Sequence, residues 1–130
     1  MANVFVTGVT GFIGKRLLVE LLGRGETVTC LVRPQSVFKI RGIIDSLKAE
    51  MPGALKRVTV AEGDISLSGL GLETGLYERL CGEVTEIYHS AAVYDLAMTE
   101  EASARINTGG TRNVLDFAAS VRNLERFHHI

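Results

Sequence analysis

The 130-residue sequence lacks an excess of charge of either sign, long apolar runs and more than two cysteines. Its 14 basic and 15 acidic residues are interspersed and leave a net charge of -1, which argues against a nucleic-acid-binding protein. No stretch approaches the roughly 20 apolar residues that a membrane-spanning helix needs. The N-terminus has no charged segment followed by an uninterrupted apolar one. We therefore expect neither a membrane span nor a secretory signal, and a cytoplasmic location.

The few cysteines and histidines do not form a metal-binding pattern. Cys30 lies in a strand-like run and Cys81 at a predicted helix end, and a disulfide between them is disfavoured in a cytosolic protein. We expect both to be small buried apolar side chains. His89, His128 and His129 have no carboxylate or cysteine at ligand spacing, so we expect ordinary strand-end or surface histidines and no metal site.

The N-terminus does contain three glycines spaced three residues apart, Gly8, Gly11 and Gly14. They follow a β-branched and aromatic run and precede an amphipathic segment, which is the order of strand, turn and helix that a dinucleotide phosphate site needs. Unpaired N–H groups and the helix dipole favour an anion at such a helix N-terminus. Gly8 would permit the tight turn, Gly11 would let a pyrophosphate approach, and Gly14 would let the helix pack close to the first strand.

A turn without a ligand is the alternative, because glycine turns are common. The segment after the turn favours the phosphate site, since it has one apolar and one charged helical face. The apolar face comprises Ile13, Leu17, Leu18, Leu21 and Leu22. Gly23 and Gly25 are predicted to end this helix.

Strands alternate with helices along the chain, without repeats or low-complexity linkers. The predicted strands are residues 3–7, 27–32, 57–62, 85–89 and 125–130. The later predicted helices are residues 35–51, a short helix ending near Cys81, and residues 98–120. This alternation predicts an α/β fold of the Rossmann type, a doubly wound parallel sheet of order 3-2-1-4-5 in three αβα layers. The ligand crevice is expected between strands one and four.

The glycine motif resembles that of the extended short-chain dehydrogenase/reductase family, and the resemblance continues along all 130 residues. Residues 63–72 and 87–92 look most like the fatty acyl and thioester reductase (male-sterility-type) branch. The motif implies that the cofactor-binding residues include Thr7, Gly8, Thr10, Gly11, Phe12, Ile13 and Gly14.

The resemblance also implies binding residues in later loops. Asp64 would contact the adenine amino group and Ile65 would cover the ring, although Asp64 also suits an Asx turn or helix cap. Ser90, Ala91 and Ala92 follow strand four, where small side chains would let the backbone approach the ribose and pyrophosphate. Close helix–sheet packing is the alternative reason for these small residues.

Arg33 stands at the end of strand two, 19 positions after Gly14. An arginine there can pair with a 2′-phosphate and favours NADP, whereas an acidic residue would bind the ribose hydroxyl and favour NAD. Positions 31–36 contain no acidic residue. A solvated arginine at a strand end is the alternative.

Asn107 begins the sequence Asn-Thr-Gly-Gly-Thr, which resembles the family's Asn-x-x-Gly-Thr motif. The matching family residue shapes the active site and supports the proton relay, so Asn107 is the candidate catalytic residue. A polar residue bonding the backbone at a buried helix edge is the alternative. Gly109 and Gly110 each cost a helix roughly 1 kcal/mol relative to alanine. Gly110 lies on a predicted apolar stripe running from Ala102 to Ala118, which would allow close packing on the sheet.

The family's catalytic Ser/Thr and Tyr-x-x-x-Lys pair lie beyond strand five, and no Tyr-x-x-x-Lys occurs in this sequence. The resemblance therefore implies that residues 1–130 are the NADP-binding part of an oxidoreductase. The whole enzyme would transfer hydride from NADPH to a small-molecule carbonyl or acyl-thioester substrate. Because a sheet ending in strand five leaves an unpaired edge, we expect the chain to be part of a larger protein and inactive alone.

Two other functions stay open at this point. One is a non-catalytic nucleotide-sensing module, and the other is an NAD-dependent sugar-nucleotide epimerase or dehydratase, against which Arg33 argues. Many relatives dimerise, so a homodimer also stays open.

Overall fold

Five parallel strands form a single sheet in the computed structural model, which describes residues 2–90 and 99–130. The strands are β1 (Asn3–Thr7), β2 (Thr27–Val32), β3 (Val58–Glu62), β4 (Glu86–His89) and β5 (Arg126–His129). Their order is β3-β2-β1-β4-β5, and every neighbouring pair is parallel. The predicted strand order is therefore confirmed.

Helices connect the strands. They are α1 (Phe12–Gly23), α2 (Val37–Leu47), α3 (Thr74–Glu83) and α4 (Glu100–Ser120), with short 3-10 turns at Pro34–Ser36, Ala54–Arg57 and Ser68–Gly71. The helix predicted over 35–51 is shorter at both ends, because Pro34 begins a separate 3-10 turn before α2 and α2 already ends at Leu47. None of the helices in the described part of the chain combines the length and apolar character required to cross a bilayer.

The two faces of the sheet are covered by different apolar clusters. On one face Val4 and Val6 pack with Leu18 of α1 and Ile40 of α2. On the other face Phe5 and Ile87 lie in the cluster that contains Leu80 of α3, and Phe117 of α4 packs against Phe5 in a tilted arrangement with ring centroids 4.8 Å apart. This is the predicted three-layer arrangement, because successive strand residues alternate between faces.

Both cysteines belong to these clusters, Cys30 to the first and Cys81 to the second. Each is a free thiol and each is buried. Burial raises the pKa of the Cys30 thiol to about 12. The prediction of two small buried apolar side chains is consistent with these positions.

The C-terminus of α1 is closed by one glycine and one distant arginine. Gly25 adopts a left-handed conformation (φ +85°) and donates its N–H to the Leu22 carbonyl at 3.1 Å. The Arg57 guanidinium donates to the carbonyls of Leu22 at 3.0 Å and Glu26 at 2.6 Å. These hydrogen bonds hold Arg57 beside the C-terminus of α1 as the last residue of a 3-10 turn. The strand β3 therefore begins one residue later than predicted, at Val58.

The buried face of α4 differs from the predicted stripe. Gly110, Val114 and Phe117 are buried, whereas Ala102 is only half-buried. Gly110 does not pack on the sheet, because a Cβ added there would meet Ile65 Cδ1 at 2.7 Å. The helix therefore packs closely on the loop after β3.

Gly109 and Gly110 form a matched pair for substitution. An added Cβ at Gly109 has nothing within 4 Å among the described residues, so Gly109→Ala should raise the free energy of unfolding by about 0.5–1 kcal/mol. Gly110→Ala should lower it by about 1 kcal/mol because of the contact with Ile65. Urea unfolding measures both changes, and the same sign for both variants would contradict this packing.

Candidate nucleotide-binding site

Two of the three glycines, Gly8 and Gly11, lie in the turn between β1 and α1, and Gly14 lies in the first turn of α1. The fold itself requires Gly8 and Gly14. Gly8 is left-handed (φ +77°), which favours glycine, and its carbonyl accepts the Gly11 N–H at 3.1 Å. Gly14 is buried, and a Cβ there would overlap the Gly8 carbonyl and lie 2.7 Å from Val9 Cα. Gly14 therefore lets α1 approach the turn that follows β1 closely.

Gly11 differs from the other two. It is exposed, has an ordinary φ of −82°, and caps α1 without a side-chain hydrogen bond. A Cβ there would come within 3.4 Å of the Gly8 carbonyl oxygen and would meet no second atom within 4 Å in residues 2–90 and 99–130. The described residues therefore leave room for a side chain at Gly11, whereas an anion approaching the helix N-terminus would not.

The first turn of α1 faces solvent. Phe12 is 92% exposed and Ile13 is 57% exposed, so the predicted place of Ile13 on the apolar face is wrong. The apolar contacts of α1 begin deeper, at Leu17 and Leu18, because its first turn lies at the carboxyl edge of the sheet where the core ends. Thr10 is half-buried beside this turn. The N-terminal N–H groups of α1 therefore open towards solvent.

Thr7 and Ser90 are brought into direct contact across β1 and β4. The Ser90 hydroxyl donates to the Thr7 carbonyl at 2.7 Å, and the Ser90 N–H lies 3.2 Å from Thr7 Oγ1. Thr7 is fully buried, so its side chain holds the loop after β4 in place. Ala91 and Ala92, the other two residues predicted in this loop, lie outside the described residues.

His89 is a buried strand-end histidine at the same edge. Its Nδ1 lies 2.7 Å from Thr7 Oγ1 and its Nε2 lies 3.2 Å from Thr111 Oγ1 on α4. Burial, with a smaller effect of the adjacent His129, lowers the pKa of His89 to about 4. The ring is therefore neutral near pH 7 and bonded on both nitrogens. The Asn-Thr-Gly-Gly-Thr motif contains Thr111, but the contact of Thr111 with His89 could be found only from the fold.

His128 lies in β5 beside Tyr88 of β4. Its Nε2 is 3.0 Å from the Glu86 carboxylate, and its ring stacks on Tyr88 with centroids 4.2 Å apart. The sequence spacing showed no carboxylate near this histidine, because Glu86 reaches it through strand pairing.

Arg33 is exposed and directly follows β2. The Gly63 N–H donates to the Val32 carbonyl at 3.0 Å, which brings the end of β3 beside it. No ion pair joins the Arg33 guanidinium to a carboxylate in the described ranges. The guanidinium is therefore available to an anion at this edge.

The loop after β3 favours the Asx-turn alternative for Asp64. It also argues against the predicted role of Ile65 in covering the adenine ring. Asp64 Oδ1 accepts the Ser66 N–H at 2.9 Å and the Ser66 hydroxyl at 2.8 Å, which is an Asx turn. The Ile65 side chain is buried against Gly110 and therefore has little surface left to cover a ring. Asn113 Nδ2 donates to the Ile65 carbonyl at 2.7 Å, a contact that no local pattern indicates.

Asn107 lines an open groove of about 630 Å³ between α4 and the end of β5. The other lining residues include Thr111, Arg112, Leu115, His129 and Ile130. Because parallel strands all end at one edge, this groove shares that edge with the glycine turn, Arg33 and Ser90. The candidate residues in the described ranges therefore lie around the carboxyl ends of the strands.

The pH dependence of stability should reveal His89. Its pKa falls from 6.5 to about 4 on folding, so the unfolded chain binds an extra proton between these values. The resulting stability is complete above pH 6.5 and is lost as the pH falls towards 4, by about 3 kcal/mol. Urea unfolding at about pH 7 and about pH 4.5 should show a smaller loss in His89→Asn than in the wild type. Equal losses would contradict the buried neutral ring.

Known proteins resemble this chain in sequence. A family model described as "Male sterility protein" matches residues 6–130. Fatty acyl-CoA reductase 1 of Gallus gallus is 30% identical, and the match covers 98% of this chain and 27% of that protein. The chain spans about a quarter of the length of the fatty acyl-CoA reductases that it matches.

Solved structures share its fold. The reductase domain of a non-ribosomal peptide synthetase from Mycobacterium tuberculosis has a TM-score of 0.81 at 28% identity, covering 99% of this chain and 32% of that one. Yeast methylglyoxal/isovaleraldehyde reductase Gre2, complexed with NADPH, has a TM-score of 0.78 at 19% identity, covering 98% and 36%. At that identity Gre2 supports the fold alone. The chain belongs to the male sterility protein family, as a reductase-type NAD(P)-binding domain of the extended short-chain dehydrogenase/reductase kind.

Proposed function

We propose that residues 1–130 are the NADPH-binding domain of a reductase that transfers hydride to a carbonyl or acyl-thioester substrate. The observation that carries the proposal is the exposed Gly11 at the N-terminus of α1, where no contact within the described residues requires a glycine. A pyrophosphate approaching the unpaired N–H groups would need it, because a Cβ would stand between them.

Arg33 supports NADPH over NADH. Its guanidinium is exposed at the end of β2, where the ribose of a bound dinucleotide lies in this fold class. A guanidinium pairs well with a 2′-phosphate, and no carboxylate in the described ranges forms an ion pair with it.

The relatives' names support the substrate class. Several are fatty acyl-CoA reductases, and one similar structure is a reductase domain of a peptide synthetase. When bound, NADPH would supply the hydride. The domain's own residues would orient it, and Asn107 would help shape the substrate side, since it lines the groove between α4 and β5. The Tyr and Lys of the family would belong to the whole enzyme and have no match in this sequence.

Other residues take narrower parts in the proposal. Ser90 would present the loop after β4 to the cofactor, and Thr7 would act by holding Ser90 rather than by direct contact. Asp64 would contribute through the shape of its Asx turn. Binding by Ala91 and Ala92, a homodimer and a cytoplasmic location stay predictions from the sequence.

Arg33→Asp should reverse the nucleotide preference. Isothermal titration with NADPH and NADH should show NADPH bound at least tenfold more tightly by the wild type, since a charge-assisted pair contributes about 1.5–3 kcal/mol. Arg33→Asp should lose that preference because its carboxylate repels the 2′-phosphate. Arg79→Asp on the exposed surface of α3 makes the same charge change and should keep the preference. An unchanged NADPH preference in Arg33→Asp would contradict the role of Arg33.

Gly11→Ala should separate binding from folding. Its Cβ meets only the Gly8 carbonyl at 3.4 Å, so the free energy of unfolding should change by less than about 1 kcal/mol. The affinity for NADPH should fall by roughly tenfold or more because the Cβ obstructs the pyrophosphate. Gly23→Ala at the other end of α1 has no neighbour within 4 Å in the described ranges and should leave affinity unchanged. Full affinity in Gly11→Ala would favour a turn without a ligand.

A further inference from the structure

We propose that His89 is a positioning residue that sets the distance between the glycine turn and helix α4. The inference rests on the proposed function, because the parts it positions are the phosphate-binding turn and the helix that carries Asn107. The imidazole connects Thr7, the last residue of β1, to Thr111 in the middle of α4. His89 is only 1% exposed, so its side chain is closed off from solvent and from a substrate.

The contact lies at the switch point of the sheet. Thr7 and His89 are paired residues of β1 and β4, the two strands between which the connections diverge to opposite faces. Gly8 follows Thr7 directly, and Ser90 follows His89 directly. A hydrogen bond between these two side chains therefore fixes where both loops leave the sheet.

The two partners of His89 are hydroxyl groups, which can each donate or accept. A neutral imidazole donates one hydrogen bond and accepts one, so either tautomer can be satisfied between Thr7 and Thr111. Thr7 Oγ1 also lies 3.2 Å from the Ser90 N–H, which adds the loop after β4 to the same network. The buried polar atoms of this region are thus mutually bonded, which favours one arrangement of the loops.

The network reaches the proposed substrate side through α4. Thr111 lies one helical turn after Asn107, and both residues line the groove beside β5. His129 stacks on His89 with ring centroids 5.0 Å apart and lines the same groove. Displacing Thr111 from His89 would therefore move the groove relative to the glycine turn.

Thr111→Val tests the proposal with little change in volume. It leaves His89 Nε2 without its partner, and the dissociation constant for NADPH should rise about fivefold, the effect of one lost hydrogen bond. Thr111→Ser restores the hydroxyl and should return the constant to within about twofold of the wild type. Val84→Ala is the control, because Val84 is buried at the opposite, amino end of β4. It should lower thermal stability without changing affinity.

A second readout does not depend on nucleotide binding. Backbone amide chemical shifts of Gly8, Gly11 and Ser90 in the nucleotide-free chain should move in Thr111→Val, should recover in Thr111→Ser, and should stay in place in Val84→Ala. Unmoved amides in Thr111→Val, or equal movements in Val84→Ala, would overturn the positioning role. If the wild type failed to bind NADPH, the proposed function would fail, and the amide shifts would still decide whether His89 positions the turn.

Discussion

The parallel pairing of β1 with both β2 and β4 is the constraint on which the rest of the structure depends. Because both neighbours run in the same direction as β1, every connection must cross back over a face of the sheet. The connections diverge from β1 towards β2 on one side and β4 on the other, which leaves an opening above its carboxyl end. The glycine turn occupies that opening.

The three motif glycines illustrate how one spacing can serve separate physical needs. Gly8 supplies a left-handed backbone, and Gly14 supplies room for the turn against α1. Neither requirement involves a ligand. Gly11 has neither need among the described residues, and the proposed pyrophosphate contact would give it one. A motif match alone would weigh all three equally, whereas the structure separates the residue that the fold can spare from the two that it cannot.

The sequence predicted the features that depend on local patterns, and it missed those that depend on distant partners. Strand order followed from the alternation of strands and helices, and the turn followed from glycine spacing. By contrast, the burial of Ile65 depends on Gly110, which lies 45 residues away. Arg57 was predicted to begin a strand because its partners, the carbonyls of Leu22 in α1 and of Glu26 before β2, are not evident from the local sequence. Thr111 belonged to a recognised motif, yet its contact with His89 required the packing of α4 on the sheet.

The burial of Cys30 in the central layer has a practical consequence. A thiol reacts as its thiolate, and a group with a pKa of about 12 inside a closed sheet is protected from reagents on two counts. Alkylation of Cys30 then requires α1 and α2, which cover this face of the sheet, to move away. The labelling rate of Cys30, resolved from that of Cys81 by peptide mapping, would thus report the opening of this layer without an introduced probe.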